Sequence, residues 1–109
     1  MKLPDADAAF VPADKLTGYL LALAHPVGGS KARFFRAQGF GETNMEKLEA
    51  GLLAIARSAD AEATESSHGT KYVVDGDLLS PSGKRVRVRT VWIVEITDSR
   101  PRLITAYPT

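Results

Sequence analysis

The chain has 109 residues, of which 44% are hydrophobic and 25% charged, and this predicts one domain over residues 1–109 with a core of ordinary size. It has no cysteine, which excludes a disulfide framework and a cysteine metal site and is compatible with the cytoplasm. The formal net charge of +1 excludes binding to polyanions by bulk charge, and without a signal-peptide pattern or an apolar run of about 20 residues we expect a cytoplasmic protein outside the membrane.

The chain opens with an extended arm, and we expect Phe10 and Val11 at its end to dock on the core. Pro12 then suits the first turn of a helix, where its missing N–H costs nothing. Four residues then recur at helical spacing and predict a first helix over Pro12–Ala24 with one apolar face: Leu16, Tyr19, Leu20 and Leu23. His25 and the proline after it end this helix, because a residue before proline disfavours the helical conformation.

Two further helices are predicted before the strands begin. Ser30 is a good N-cap and Gly39 a good C-terminal stop, so the segment KARFFRAQ between them predicts a second, short helix. Thr43 followed three residues later by Glu46 matches a capping box. The apolar residues after it predict a third helix over roughly Asn44–Ser58.

The second half of the chain changes to a period of two, which is typical of strands. The polar stretch before it is either a ragged edge strand around Ala61–Glu65 or a loop. Three strands separated by turns are predicted over Lys71–Leu79, Lys84–Ile96 and Arg102–Tyr107. With the helical part at about 12–58 and the sheet at about 70–108, we expect an α+β fold. Its three N-terminal helices would pack on a C-terminal antiparallel β-meander of three to four strands.

The segment Lys84–Val94 is interpreted as the middle strand of this sheet. Its arginines alternate with Val86, Val88, Thr90 and Trp92, so the two sets lie on opposite faces. The alternation leaves open which face the helices cover. If the arginine face is exposed, the sheet displays a basic surface.

Charge and motifs give little direct indication of chemistry. Residues 1–67 carry seven Lys and Arg against nine Asp and Glu, whereas residues 68–109 carry seven against four. This asymmetry indicates either a localised anion-binding face or a solvated sheet face. There is no phosphate-binding glycine loop, zinc-type histidine pair or Gly-x-Ser-x-Gly elbow, and we expect neither a metal nor a cofactor.

Three residues of the helices and loops are candidates for catalysis. His25, at a helix end, is either a capping histidine favoured by the helix dipole or a general acid or base. Lys31 begins the next helix, where a cation is mildly unfavourable, so it is either a solvated lysine or a functional cation. His68 precedes the first strand and is either a loop histidine or a second catalytic one.

Two polar groups on the strands complete the candidate set. Arg87 and Arg89 project from one face of the central strand, and the guanidinium fork suits phosphate recognition. Thr105 and Tyr107 are predicted, together with Leu103, on one face of the last strand. They are either sheet-face residues beside the tryptophan or a polar strip that holds a phosphate or donates a proton.

Three segments carry a resemblance: HPVGGSKARFF (25–35), GTKYVVDGDLLSPSGKRVRVRTVWIVE (69–95) and PRLITAYP (101–108). They resemble a family of small bacterial proteins and toxin-end domains of unassigned function. The layout of helices and then a meander is similar to the barnase, EndoU, colicin and RelE group of ribonuclease toxins. Members of that group cleave RNA without metal, using a histidine, basic residues near the sheet, and hydroxyls on the last strands.

The resemblance implies a toxin-like, metal-independent ribonuclease that works by acid–base transesterification on RNA and has a cognate antitoxin or immunity protein. It places catalysis at His25, Lys31, Thr105 and Tyr107, with His68 as a possible second histidine, and substrate binding at Arg87, Arg89, Thr90 and Lys71. The alternative is a non-enzymatic interaction module that binds a partner or an acidic surface through its basic sheet face. The oligomeric state stays open, because the edge of a meander can pair with a second copy.

Overall fold

The computed structural model describes residues 1–109 as helices followed by one four-stranded antiparallel sheet. The helical part comprises a 3₁₀ turn (Ala6–Ala8), a short α1 (Ala13–Lys15) that continues as a π-helical turn (Leu16–Leu20), α2 (Gly29–Ala37) and α3 (Met45–Ser58). The strands are β1 (Ala61–Ser66), β2 (Gly69–Leu79), β3 (Arg85–Glu95) and β4 (Asp98–Pro108), in the spatial order β1-β2-β3-β4. The α+β fold predicted from the sequence is confirmed, and the polar stretch after α3 forms the edge strand β1. None of the helices has the length and apolar character needed to cross a membrane.

The helices cover the tryptophan face of β3 and leave the arginine face open. Val74 on β2 and Val88 and Trp92 on β3 are fully buried on the covered face. Helix α3 packs on this face so closely that a Cβ at Gly76 would lie 2.8 Å from Ile55. Alternation along each strand then places the arginines of β3 on the opposite, open face.

The first helix is shorter than the predicted Pro12–Ala24. The π-helical turn closes when the Leu21 N–H donates to the Leu16 carbonyl at 3.0 Å. The guanidinium of Arg36 on α2 then donates twice, at 2.9 and 2.7 Å, to the Leu21 carbonyl, which a further helical turn would need. The chain therefore turns after Leu20 toward the start of α2.

The predicted capping box does not form at the start of α3. Asn44 occupies the N-cap position instead of Thr43. Its amide ties the preceding loop, since Oδ1 accepts the Gly41 N–H at 2.8 Å and Nδ2 donates to the Gly39 carbonyl at 3.0 Å. Gly39 itself has a φ of 101°, a left-handed conformation that suits the predicted stop of α2.

A β-bulge in β4 corrects the predicted face of the last strand. Trp92 pairs with Leu103, but the adjacent Val91 pairs with Thr105, so β4 has one extra residue at Ile104. Leu103 therefore faces the core and is fully buried, whereas Thr105 and Tyr107 face the open side of the sheet. The prediction that these three share a face was wrong, because a bulge reverses the alternation that follows it.

Candidate functional site

The centre of the candidate site is Tyr19, which the sequence analysis did not single out. The Lys31 Nζ donates to the Tyr19 hydroxyl at 2.8 Å, and the Thr105 Oγ1 lies 3.3 Å from the same oxygen. The Tyr19 hydroxyl thus links the π-helical turn, α2 and β4. We refer to Tyr19, His25, Lys31, Thr105 and Tyr107 as the Tyr19 cluster.

Local structure explains how these side chains meet. Leu16 and Leu20 of the π-helical turn are buried, which leaves Tyr19 on the side of the turn nearest β4. Single π turns are rare and often mark functional positions. On α2, buried Ala32 and Phe35 fix the helix against the core, so Lys31 reaches the edge of β4. The bulge in β4 then supplies Thr105 and Tyr107.

His25 lies beside Tyr19 and is committed to the backbone through one ring nitrogen. Its Nδ1 accepts the N–H groups of Val27 and Gly28 at 3.0 and 2.8 Å, so this atom carries no proton in the observed arrangement. In the neutral ring the proton is therefore on Nε2. The His25 ring meets the Tyr19 ring edge to face, with centroids 5.0 Å apart. His25 thus shapes the loop before α2 and supports Tyr19.

Tyr107 also lies near the Lys31 ammonium group. The Lys31 Nζ is 5.8 Å from the centre of the Tyr107 ring, within the range of a cation–π contact. Next to it opens a groove of about 430 Å³ lined by Ser30, Lys31, Tyr107 and Pro108. One cation thus joins the Tyr19 hydroxyl to an open groove with an aromatic wall.

The charges around Tyr19 favour its ionised form. Burial acts in the opposite direction, but it is outweighed by the hydrogen bonds with Lys31 and Thr105 and by the charges of Lys31 and Lys15, so the pKa of Tyr19 is lowered. The Lys15 ammonium lies 4.7 Å from the centre of the Tyr19 ring. A tyrosine with a lowered pKa can accept a proton nearer neutral pH than a free phenol can.

The arginines of the open face are paired with carboxylates rather than free. Arg89 forms a bidentate ion pair with Asp75 on β2, at 2.8 and 2.9 Å, and Arg87 lies 3.5 Å from Asp77. The hydrogen bond to Asp75, the charge of Asp75 and the nearby Tyr107 hydroxyl together raise the pKa of Arg89. The Arg89 guanidinium is thus fixed by Asp75 and has Tyr107 as its cross-strand neighbour on β4.

A second cavity, of about 590 Å³, lies on the same open face. It is lined by both ion pairs together with Asp60, Glu62 and neighbouring residues. The lining of this cavity therefore contains both carboxylates and guanidinium groups. The open face is less basic than the sequence alone indicates.

The structure does not bring the remaining predicted residues to the Tyr19 cluster. Thr90 is fully buried. Its hydroxyl donates to the Val74 carbonyl at 2.7 Å and accepts the Trp92 Nε1–H at 2.8 Å. Thr90 therefore stabilises the core and is not accessible to a substrate. His68 lies exposed in the turn between β1 and β2. Along β3 this end of the sheet is about 20 Å from the position that pairs with Tyr107. Lys71 is exposed on β2, opposite Ile93.

Helical spacing places Tyr19 in the apolar stripe of the predicted first helix, and this hides its position at the centre of the cluster. The signal that could have found it is its hydroxyl, since a tyrosine on an otherwise apolar helix face needs a hydrogen-bond partner. Lys15, one turn earlier, could have been recognised as a cation on the same side. No three His, Asp or Glu side chains come together in an arrangement that could hold a metal ion.

The chain belongs to the family described as Domain of unknown function (DUF6883), whose model matches residues 2–109. Among solved structures, it has the fold of a chain of the contact-dependent growth inhibition toxin–immunity protein complex from Klebsiella pneumoniae 342. The two superpose with a TM-score of 0.73 over 95% of this chain and 96% of that chain, at 15% sequence identity. At this low sequence identity, the superposition shows that the two chains share a fold and nothing more. No curated protein matches the sequence.

Proposed function

We propose that this protein is a toxin-like domain that cleaves RNA at the Tyr19 cluster by metal-independent transesterification. The observation that carries the proposal is the position of Lys31, whose ammonium group contacts the Tyr19 hydroxyl and lies against the Tyr107 ring. A phosphate bound at Lys31 would be in reach of both the Tyr19 hydroxyl and the Tyr107 side chain. A displacement at phosphorus with acid–base catalysis needs two such groups.

Tyr19 is the base in this mechanism. RNA contains its own nucleophile, the 2′-hydroxyl. Tyr19 acts in its ionised form, which its lowered pKa favours, and the phenolate oxygen takes the 2′-hydroxyl proton as the 2′-oxygen attacks phosphorus. His25 is less suited to this step, since a base at Nε2 would require the proton on Nδ1 and would break the hydrogen bonds from Val27 and Gly28.

Lys31 and Thr105 stabilise the charge that develops on the phosphate oxygens. Donors fixed in place before the reaction are usually the largest contribution to such catalysis. Tyr107 is the acid: its hydroxyl proton moves to the 5′-oxygen as the bond between phosphorus and that oxygen breaks. The products are a 2′,3′-cyclic phosphate and a free 5′-hydroxyl. Proton exchange with water then restores both tyrosines.

The fold supports this proposal without carrying it alone. The solved structure that shares the fold is a chain of a complex between a toxin and its immunity protein. A toxin domain of this kind would require a cognate partner that covers the Tyr19 cluster until release. The alternative of a purely basic docking face is less favoured, because Arg87 and Arg89 are already paired with carboxylates.

The test is incubation of the purified protein with tRNA and mRNA in the presence of EDTA. We expect cleavage that survives EDTA and leaves 2′,3′-cyclic phosphate ends. Tyr19→Phe should slow cleavage by about 10²–10⁴-fold, the usual contribution of general acid–base catalysis. Tyr72→Phe, which removes a hydroxyl from a buried tyrosine outside the cluster, is the matched control and should cleave normally. Intact RNA across a range of salt and pH, with harmless expression in cells, would overturn the proposal.

A further inference from the structure

Resting on the proposed function, we propose that the groove beside Lys31 binds one unpaired nucleobase, stacked on the Tyr107 ring, so that the substrate is single-stranded RNA. The groove is lined by Ser30, Lys31, Tyr107 and Pro108 and has a volume of about 430 Å³. Its walls offer an aromatic ring, a proline ring, a hydroxyl and a cation. These are the groups that recognise an exposed base and its phosphate.

Tyr107 has an ordered neighbour on the next strand. Its neighbour across the ladder is Arg89, which Asp75 fixes by two hydrogen bonds of 2.8 and 2.9 Å. Tyr107 therefore lies beside a fixed guanidinium on the open face, and its side chain also borders the groove. A platform that is already ordered loses little conformational entropy when a base stacks on it.

The position of the Lys31 ammonium group indicates where the phosphate and the base of one nucleotide would bind. Lys31 lies between Tyr19 and the groove, so the scissile phosphate binds at Lys31 and the adjacent base lies over Tyr107. A base in a duplex is already stacked and paired, and it reaches this ring only after it is displaced from the helix. Unpaired bases in loops and single strands meet the groove without that cost.

Binding of a 2′-O-methyl RNA oligonucleotide tests the inference without cleavage, because the modified oligonucleotide lacks the nucleophile. We expect Tyr107→Ala to weaken binding by about 5- to 150-fold, which is the 1–3 kcal/mol typical of one stacked base. Tyr107→Phe keeps the ring and should bind within about 2-fold of the wild type while cleaving unmodified RNA poorly. Arg87→Gln, on the same face but outside the groove, is the control for surface charge.

The same measurement with the wild-type protein uses altered RNA and needs no variant. A single abasic position should weaken binding by a similar factor at one place in the oligonucleotide, and annealing a complementary strand should weaken it further. Equal binding of the intact, abasic and duplex forms would overturn the inference. Wild-type protein that prefers the single strand but never cuts unmodified RNA would support this groove and overturn the ribonuclease proposal, so the two failures are distinguishable.

Discussion

The Lys31 ammonium group lies 2.8 Å from the Tyr19 hydroxyl and 5.8 Å from the centre of the Tyr107 ring. Its charge therefore acts on both proposed proton-transfer groups and on any phosphate between them. A cation at the start of a helix opposes the helix dipole, and here it faces an aromatic and hydroxyl-rich edge instead. The placement is unfavourable for α2 by itself, and in the proposed mechanism the same cation would bind the phosphate.

Replacing Lys31 by methionine should shift the pH dependence of cleavage as well as its rate. Lys31 lowers the pKa of Tyr19, so its removal raises that pKa, and the ionised base is then formed only at higher pH. We expect the rising limb of the pH–rate profile to move to higher pH and the rate at neutral pH to fall by about 10²–10³-fold. Lys84→Met, at an exposed turn, is the control and should leave the profile unchanged. A uniform loss of rate with an unmoved limb would contradict the role given to Tyr19.

Thr90 illustrates a polar residue whose role is structural. Its hydroxyl satisfies both the Val74 carbonyl and the Trp92 indole N–H in the core. Thr90→Val keeps the shape but leaves the indole N–H unpaired, which should lower the free energy of unfolding by about 1–3 kcal/mol in urea titrations. Thr64→Val on exposed β1 is the matched control, with an expected change within about 0.5 kcal/mol. A Thr90→Val protein of unchanged stability would show that this hydrogen-bond pair is not needed.

At the scale of elements, the periodic strands could be predicted and the irregular ones could not. The alternation of β3 predicted its two faces, and β2 and β3 pair without interruption from Gly69 to Leu79. The bulge at Ile104 is different, because nothing in the residues around it disturbs the period of two. It adjoins the N-terminal arm, where Phe10 forms backbone hydrogen bonds on both sides of Arg102, with Pro101 and Leu103. Only the three-dimensional structure shows that Thr105 and Tyr107 face the open side.

The Tyr19 cluster shows the same limit. Lys31, Thr105 and Tyr107 could be selected from the sequence, because the predicted helix or strand that contains each residue does not require its polar group. Tyr19 was hidden because helical spacing gave it a place in the apolar stripe. A regular helix over Pro12–Ala24 would also have placed it differently from the observed π-helical turn. Contacts across 86 residues of sequence, such as Tyr19 with Thr105, leave no local pattern.

The close packing of α3 on β2 depends on the absence of a side chain at Gly76. An alanine Cβ there would lie 2.8 and 3.0 Å from two carbons of Ile55, so the helix would have to move. We expect Gly76→Ala to lower the free energy of unfolding by about 1–3 kcal/mol, as overpacking usually does. Gly18→Ala is the control, since nothing lies within 4 Å of its added Cβ and alanine favours the helical turn by up to about 1 kcal/mol. Urea titrations of both variants measure the difference; equal stabilities would mean that α3 is free to shift.

At the scale of the whole molecule, charge is arranged as pairs that join neighbouring segments. Arg89 with Asp75 connects β3 to β2, Arg102 with Glu95 connects β4 to β3, and Arg36 with Glu42 holds the loop after α2. The pairs between β2 and β3 also give the open face its mixed sign. Lys31 differs from these residues, because it has no carboxylate partner and instead donates to the Tyr19 hydroxyl.

Acid should weaken the fold through these same pairs. Three carboxylates have a lowered pKa because an arginine donates a hydrogen bond to each. Arg89 lowers the pKa of Asp75, and Arg36 lowers the pKa of Glu42. Arg100 lowers the pKa of Asp98 to about 2. Because the pKa values are lower in the folded than in the unfolded chain, the pairs stabilise the fold above the unfolded values of about 4 and lose this effect as the pH falls toward 2. The urea midpoint should therefore fall between about pH 5 and pH 2, modestly, since most of these pairs are solvent-screened. In the double variant Asp75→Asn with Arg89→Gln the fall should be smaller, and an identical fall would assign acid sensitivity to other carboxylates.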